Sequence, residues 1–251
     1  MRLSVFLVWV FLFLSFAELS DAASLKNDVA TEELLDSVDS EAKIRLEKGD
    51  ISGAIQIFED FLKKYPDSFE ALTFLAGIYG LKEDFQREKE LCEKAIKINS
   101  KHADAYLNLG NVYVGFQDWP KAKENLLKAY EFAKEQKNIP VLRTSSYNLS
   151  SFFLVSGESN DLAIKWADQC IAYLPDSFMR GEGLPRGVLG EFRDDNKRLI
   201  WIYESAIMNK AGAYANKKNY KKSISILENY LKIYPHSSDV KDMLDWVKKK
   251  I

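Results

Sequence analysis

The chain is poor in the residues that most often carry chemistry. It holds two cysteines and two histidines in 251 residues. So few cysteines exclude a disulfide-stapled scaffold and a cysteine-rich zinc module. Two histidines leave little for imidazole catalysis or metal binding. Charge of one sign is lacking too: 35 Lys+Arg stand against 37 Asp+Glu, a formal net charge of −2. That balance excludes the strong basic bias of a dedicated nucleic-acid binder. Helix breakers are scarce, with 6 prolines. What remains is 47% hydrophobic, 13% aromatic and 29% charged, enough apolar material for a core and not the composition of a disordered chain.

The first residues read as a targeting segment. Arg2 precedes an uncharged run from Leu3 to Ala17, and the small residues Ser20 and Ala22 sit at −3 and −1 of a cut after Ala22. This is the pattern of a secretory signal peptide over residues 1–22. The alternative, an uncleaved membrane anchor, has a run shorter than the roughly 20 residues that span hydrocarbon. Removing residues 1–22 leaves 34 basic against 35 acidic side chains, so the expected mature protein is nearly neutral, exported and without stable membrane insertion. Residues 23–34 are a linker leading into the first helix.

Everything beyond is periodic. Tyr65-Pro66-Asp67-Ser68, Leu174-Pro175-Asp176-Ser177 and Tyr234-Pro235-His236-Ser237 each follow an amphipathic run and offer a serine able to cap the next helix. Pro66 to Pro175 is three periods of 34 residues with 7 over, and Pro175 to Pro235 is one period with 26 over. With Ala103 as position 1, one unit places Tyr106, Leu109, Gly110 and Tyr113 at positions 4, 7, 8 and 11, then Ala122, Leu126 and Ala129 at 20, 24 and 27. Small residues at 8, 20 and 27 fit where two helix backbones approach closely.

That unit resembles the tetratricopeptide repeat, a pair of antiparallel helices in 34 residues. The unit before it keeps Leu72, Leu75, Ala76, Tyr79 and Ala95 but has Glu88 where a small residue is expected at position 20. The first unit departs with Glu41 and Arg45 in place of Leu and Tyr, and the fourth, framed from Thr144, with Ser150, Ser151 and Leu154. The resemblance implies an all-α solenoid of about five units, at 35–68, 69–102, 103–136, 144–177 and 204–237. A terminal capping helix over 238–251 follows, striped with Val240, Met243, Leu244, Val247 and Ile251.

Two insertions interrupt the period. The 7 residues Lys137–Arg143 equal about two helical turns and are expected to lengthen the helix pair around Pro140. The insertion 178–203 opens with Gly181, Gly183, Gly187 and Gly190, which exclude helix there, and resumes a helical rhythm from Asp194 through Leu199, Ile200 and Tyr203. It reads either as a functional loop or as a tolerated surface insertion.

Candidate chemistry is thin. The glycines of 181–187 have the wrong spacing for a phosphate loop, and no strand precedes them. Cys92 and Cys170 fall at core positions two units apart, so they are expected to be buried free thiols. His102 and His236 lie in turns, remote from either thiol. Asn148-Leu149-Ser150 matches a glycosylation sequon but lies inside a helix. No metal site, cofactor site or catalytic constellation emerges, and the chain is not expected to be an enzyme.

The resemblance further implies that the first helix of each unit lines a concave groove, with Thr73, Leu107, Asn111, Asn148, Phe152 and Met208 as the candidate peptide-binding residues. Position 5 carries no cation, which argues against a clamp for a carboxylate tail, and Asn111 and Asn148 can pair with a peptide backbone. The expected function is an exported, non-enzymatic scaffold binding a protein or peptide segment in this groove. The alternative is a structural or assembly subunit of an envelope or secretion complex, acting through 178–193 or the convex face. Self-association through the last helix stays open.

Overall fold

The structure, a computed structural model, describes residues 31–176, 180 and 194–251. The leader expected over 1–22 and the glycine-rich part of the 178–203 insertion lie outside the described residues. Among the described residues there are eleven helices and no strand: α1 (31–47), α2 (Ile51–Lys64), α3 (Phe69–Leu81), α4 (Phe85–Ile98), α5 (Ala103–Gly115), α6 (Trp119–Gln136), α7 (Ile139–Ser156), α8 (Asn160–Ala172), α9 (Asp194–Asn216), α10 (Tyr220–Ile233) and α11 (Ser238–Lys248). None of these is long and apolar enough to cross a membrane.

Turn chemistry sets the helix pairs. Within four of the five pairs, the chain reverses through one residue of left-handed φ followed directly by a side chain that caps the next helix. Gly49 (φ 76°) and Asp50 do this before α2, Glu83 (60°) and Asp84 before α4, Gln117 (57°) and Asp118 before α6, and Lys218 (58°) and Asn219 before α10. Each cap accepts a backbone N–H three residues on, as Asp84 does from Arg87 at 3.2 Å. Between pairs the proline turns end on serine: Ser68 Oγ accepts from Ala71 N and Ser237 Oγ from Val240 N, both at 3.2 Å.

The pairs close where side chains are smallest. A Cβ on Gly110 would sit 3.2 Å from the backbone nitrogen of Leu126 and 2.7 Å from its Cδ2, so only glycine lets α5 lie this close to α6. Ala122, Leu126 and Ala129 are fully buried there. In the preceding pair Glu88 is 6% exposed and its Oε2 would lie 2.8 Å from a Cβ on Gly80. The missing side chain at Gly80 makes room for the acid, and burial raises its carboxyl to about 7. In the first unit, Arg45 bridges Glu41 (3.1 Å) and Asp50 (3.0 Å), tying the end of α1 to the cap of α2.

The insertions lengthen helices. α6 and α7 each have 18 residues against 14 and 13 in α4 and α5, and α9 reaches 23 by taking in the segment from Asp194. The first helix of the fourth unit is displaced by one residue from the frame starting at Thr144. Ser150, not Ser151, takes the close approach, its Oγ donating to the Ala163 carbonyl of α8 at 2.9 Å. Counting from Arg143 puts Leu149, Ser150 and Phe153 at positions 7, 8 and 11, all buried. At the C-terminus, α11 buries Val240, Leu244 and Val247 against α9 and α10, whereas Ile251 lies beyond the helix and is exposed.

Successive first helices touch one another: α3 on α5, α5 on α7, α7 on α9, α9 on α11. No comparable contact joins α4 to α6 or α6 to α8. The stack therefore curves with its first helices inside, which makes their free edges the concave face.

Candidate functional site

The inner face carries a ladder of asparagines. Asn108, Asn148 and Asn209 occupy position 6 of three successive units once the fourth is counted from Arg143. Each Nδ2 donates to the preceding first helix: Asn108 to the Thr73 carbonyl (3.3 Å), Asn148 to Asn111 Oδ1 (2.6 Å) and Asn209 to Ser151 Oγ (2.8 Å). These bonds tie each first helix to the one before it.

Between α5 and α7, above the turn into α6, the face dips into a cleft of about 180 Å³ lined by Asn111, Val114, Trp119, Tyr147, Asn148, Ser151, Phe152 and Val155. Trp119 packs against Phe152 with ring centroids 6.0 Å apart, and Tyr147 meets Trp201 edge-on at 5.3 Å. None of the eight lining residues is charged. The Asn148–Asn111 bond uses one donor and one acceptor of the pair, leaving the Asn111 amide nitrogen as donor and Asn148 Oδ1 as acceptor, the complement of a peptide group. The volume is below the several hundred Å³ usual for small-molecule sites and suits one or two side chains.

Of the six residues expected in the groove, the cleft brings together three: Asn111, Asn148 and Phe152. Phe152 is 2% exposed and forms the floor rather than a rim. Leu107 is buried in the same core, Thr73 is buried with its hydroxyl donating to the Phe69 carbonyl at 2.7 Å, and Met208 is half-buried against the core around α10. The cleft does not include these three, and of them Met208 keeps part of its surface open. Sequence reasoning missed Trp119, Tyr147 and Ser151. Trp119 opens α6, outside the periodicity of the first helices, and the register of α7 had hidden which face Tyr147 and Ser151 occupy.

Burial shifts the buried titratable groups outside the cleft toward their neutral forms. Burial pushes the Cys170 thiol up to about 12 and Cys92 higher still, and both are free and buried. His102 lies edge-on to Phe69 at 4.8 Å, and burial lowers its pKa while raising that of Asp104. Ser150 of the sequon is fully buried. Among the described residues no group of three His, Cys, Asp or Glu side chains is placed to hold a metal ion.

Comparison with known proteins agrees with the architecture. Tetratricopeptide repeat models match residues 41–68, 69–102, 91–124 and 204–237. The general transcriptional corepressor trfA of Dictyostelium discoideum is 30% identical over 74 residues, 30% of this chain and 5% of that protein, so the chain spans about a twentieth of this relative's length. The crystal structure of BtubC from P. vanneervenii superposes with a TM-score of 0.64 at 15% identity, covering 82% of this chain and 81% of that one. That of YrrB, described as a TPR protein with an unusual peptide-binding site, gives 0.53 at 18% identity over 84% and 89%. At such identities the likeness is one of fold. The repeat matches, carried on stacked helix pairs, establish that the chain belongs to the tetratricopeptide repeat family.

Proposed function

We propose that the chain is an exported, non-enzymatic interaction scaffold that holds a segment of another protein against its inner face, anchored in the cleft between α5 and α7. The observation that carries this reading is the Asn111–Asn148 pair, which keeps one donor and one acceptor free beside an uncharged aromatic floor. The family's fold is that of a protein–protein interaction scaffold, and YrrB is a neighbour described by its peptide-binding site. The export half rests on the pattern of residues 1–22.

The test is affinity capture from the exported fraction, read by mass spectrometry. The bait is the chain as it accumulates there, whose first residue is Ala23 when the leader has been removed. A second bait carries Asn111→Ala, Asn148→Ala and Val155→Asp; Val155 is 71% exposed, so the changes spare the core. Partners retained by the parent and lost by the variant support the reading. Partners held equally by both move the site to the convex face or to 178–193, and a chain that keeps residues 1–22 contradicts cleavage.

A further inference from the structure

Resting on the peptide-groove reading, the hydrogen-bond inventory of the cleft says what kind of segment fits. Trp119 is half-buried, and its indole N–H has no partner among the described residues; the same holds for the Tyr147 hydroxyl and the Asn111 amide nitrogen. Ser151 Oγ accepts from Asn209 and has its own proton to give. Against these donors stand two obligate acceptors, Asn148 Oδ1 and the remaining lone pair of Asn111 Oδ1, so the Trp119 indole is the donor in surplus and the Tyr147 and Ser151 hydroxyls can add to it. The indole and the amide nitrogen can only donate. A ligand that meets this surplus brings more carbonyl oxygens than N–H groups, and the uncharged lining offers no partner to a charged one.

An ordinary extended peptide carries one N–H for each C=O, and its surplus N–H groups would lie against other donors. A proline-rich segment lacks those N–H groups, keeps every carbonyl turned out in the polyproline II conformation, and offers flat pyrrolidine rings to the half-buried Trp119 ring. It also arrives already ordered, which suits a cleft too small to repay much lost chain entropy. We infer that the cleft between α5 and α7 takes an uncharged proline-rich segment, its rings against Trp119 and its carbonyls accepting from the Trp119 indole, Tyr147 and Asn111.

The test titrates the full chain with a capped oligoproline of about ten residues, and with a capped uncharged peptide of equal length built from alanine and glutamine, by calorimetry. Trp119→Phe and Tyr147→Phe each delete a donor and keep a ring. The oligoproline is expected to bind in preference to the control, and each variant to weaken it roughly three- to tenfold with helicity unchanged. Equal binding of the two peptides, or oligoproline binding indifferent to both variants, overturns the inference. A control peptide, or a captured partner without proline, that binds and responds to Asn111→Ala and Asn148→Ala leaves the groove standing and removes the proline. Concentration-dependent dimers in sedimentation, abolished by Val155→Asp, make a second copy of the chain the occupant and overturn it also.

Discussion

Glu88 shows how one departure from the repeat pattern acts. The position favours a small side chain, and the acid is accommodated because Gly80 faces it across the helix pair. Burial raises its carboxyl from 4.5 to about 7. A carboxyl with a raised folded-state pKa binds its proton more tightly when folded. Its contribution is complete below pH 4.5 and is lost as pH rises through about 7, a change on the order of 2–3 kcal/mol. Glu88→Gln cannot titrate, so it is expected to melt above the parent at pH 8 and to converge with it at pH 5. A constant gap across that range would mean Glu88 is solvated. His102, with its pKa lowered by burial, contributes the opposite slope below its ordinary value, and comparison of parent with Glu88→Gln removes that background.

The helices were largely legible in the sequence, and the reasons are local. Pro66 and Pro235 mark turns because proline ends a helix and the following serine starts one, and both serines do cap. Gly110 marked a close approach because a bulkier residue cannot sit against Leu126. The fourth unit was harder to read. Ser145, Ser146, Ser150 and Ser151 are all small, and any of them satisfies a close helix crossing, so the pattern admits more than one register. The hydrogen bond from Ser150 to Ala163 decides it. Three of the left-handed turns carry no glycine to mark them. Glu83, Gln117 and Lys218 occupy the place that Gly49 holds in the first pair, and side chains at that φ are strained by about 1–2 kcal/mol. Replacing any of the three by glycine is expected to stabilise the chain by about 0.5 kcal/mol after the greater freedom of unfolded glycine is counted. The triple variant should then raise the denaturant midpoint with an unchanged slope. A lowered midpoint would show that the side chains hold the turns in some other way.

For the whole molecule, the stack decides which residues are available to a partner. α5 and α7 are each flanked by two other first helices, so Leu107 and Phe152 are covered, and Thr73 is buried on α3, although periodicity alone puts all three on the lining face. What stays open is the edge where the asparagine ladder runs, and there the cleft collects Trp119 from a neighbouring element that one-helix reasoning cannot reach. Aspartate at Leu107 or Phe152 would place a charge in the core and unfold the stack, so such variants cannot probe binding; Asn111, Asn148 and Val155 can.

Partners are proposed to meet the inner face at α5 and α7. Hydrogen exchange of the full chain, with and without its captured partner, tests this. New protection is expected across 103–119 and 147–155, with little change in α4 and α8. Protection concentrated on those outer helices, with α5 and α7 exchanging as before, would contradict it.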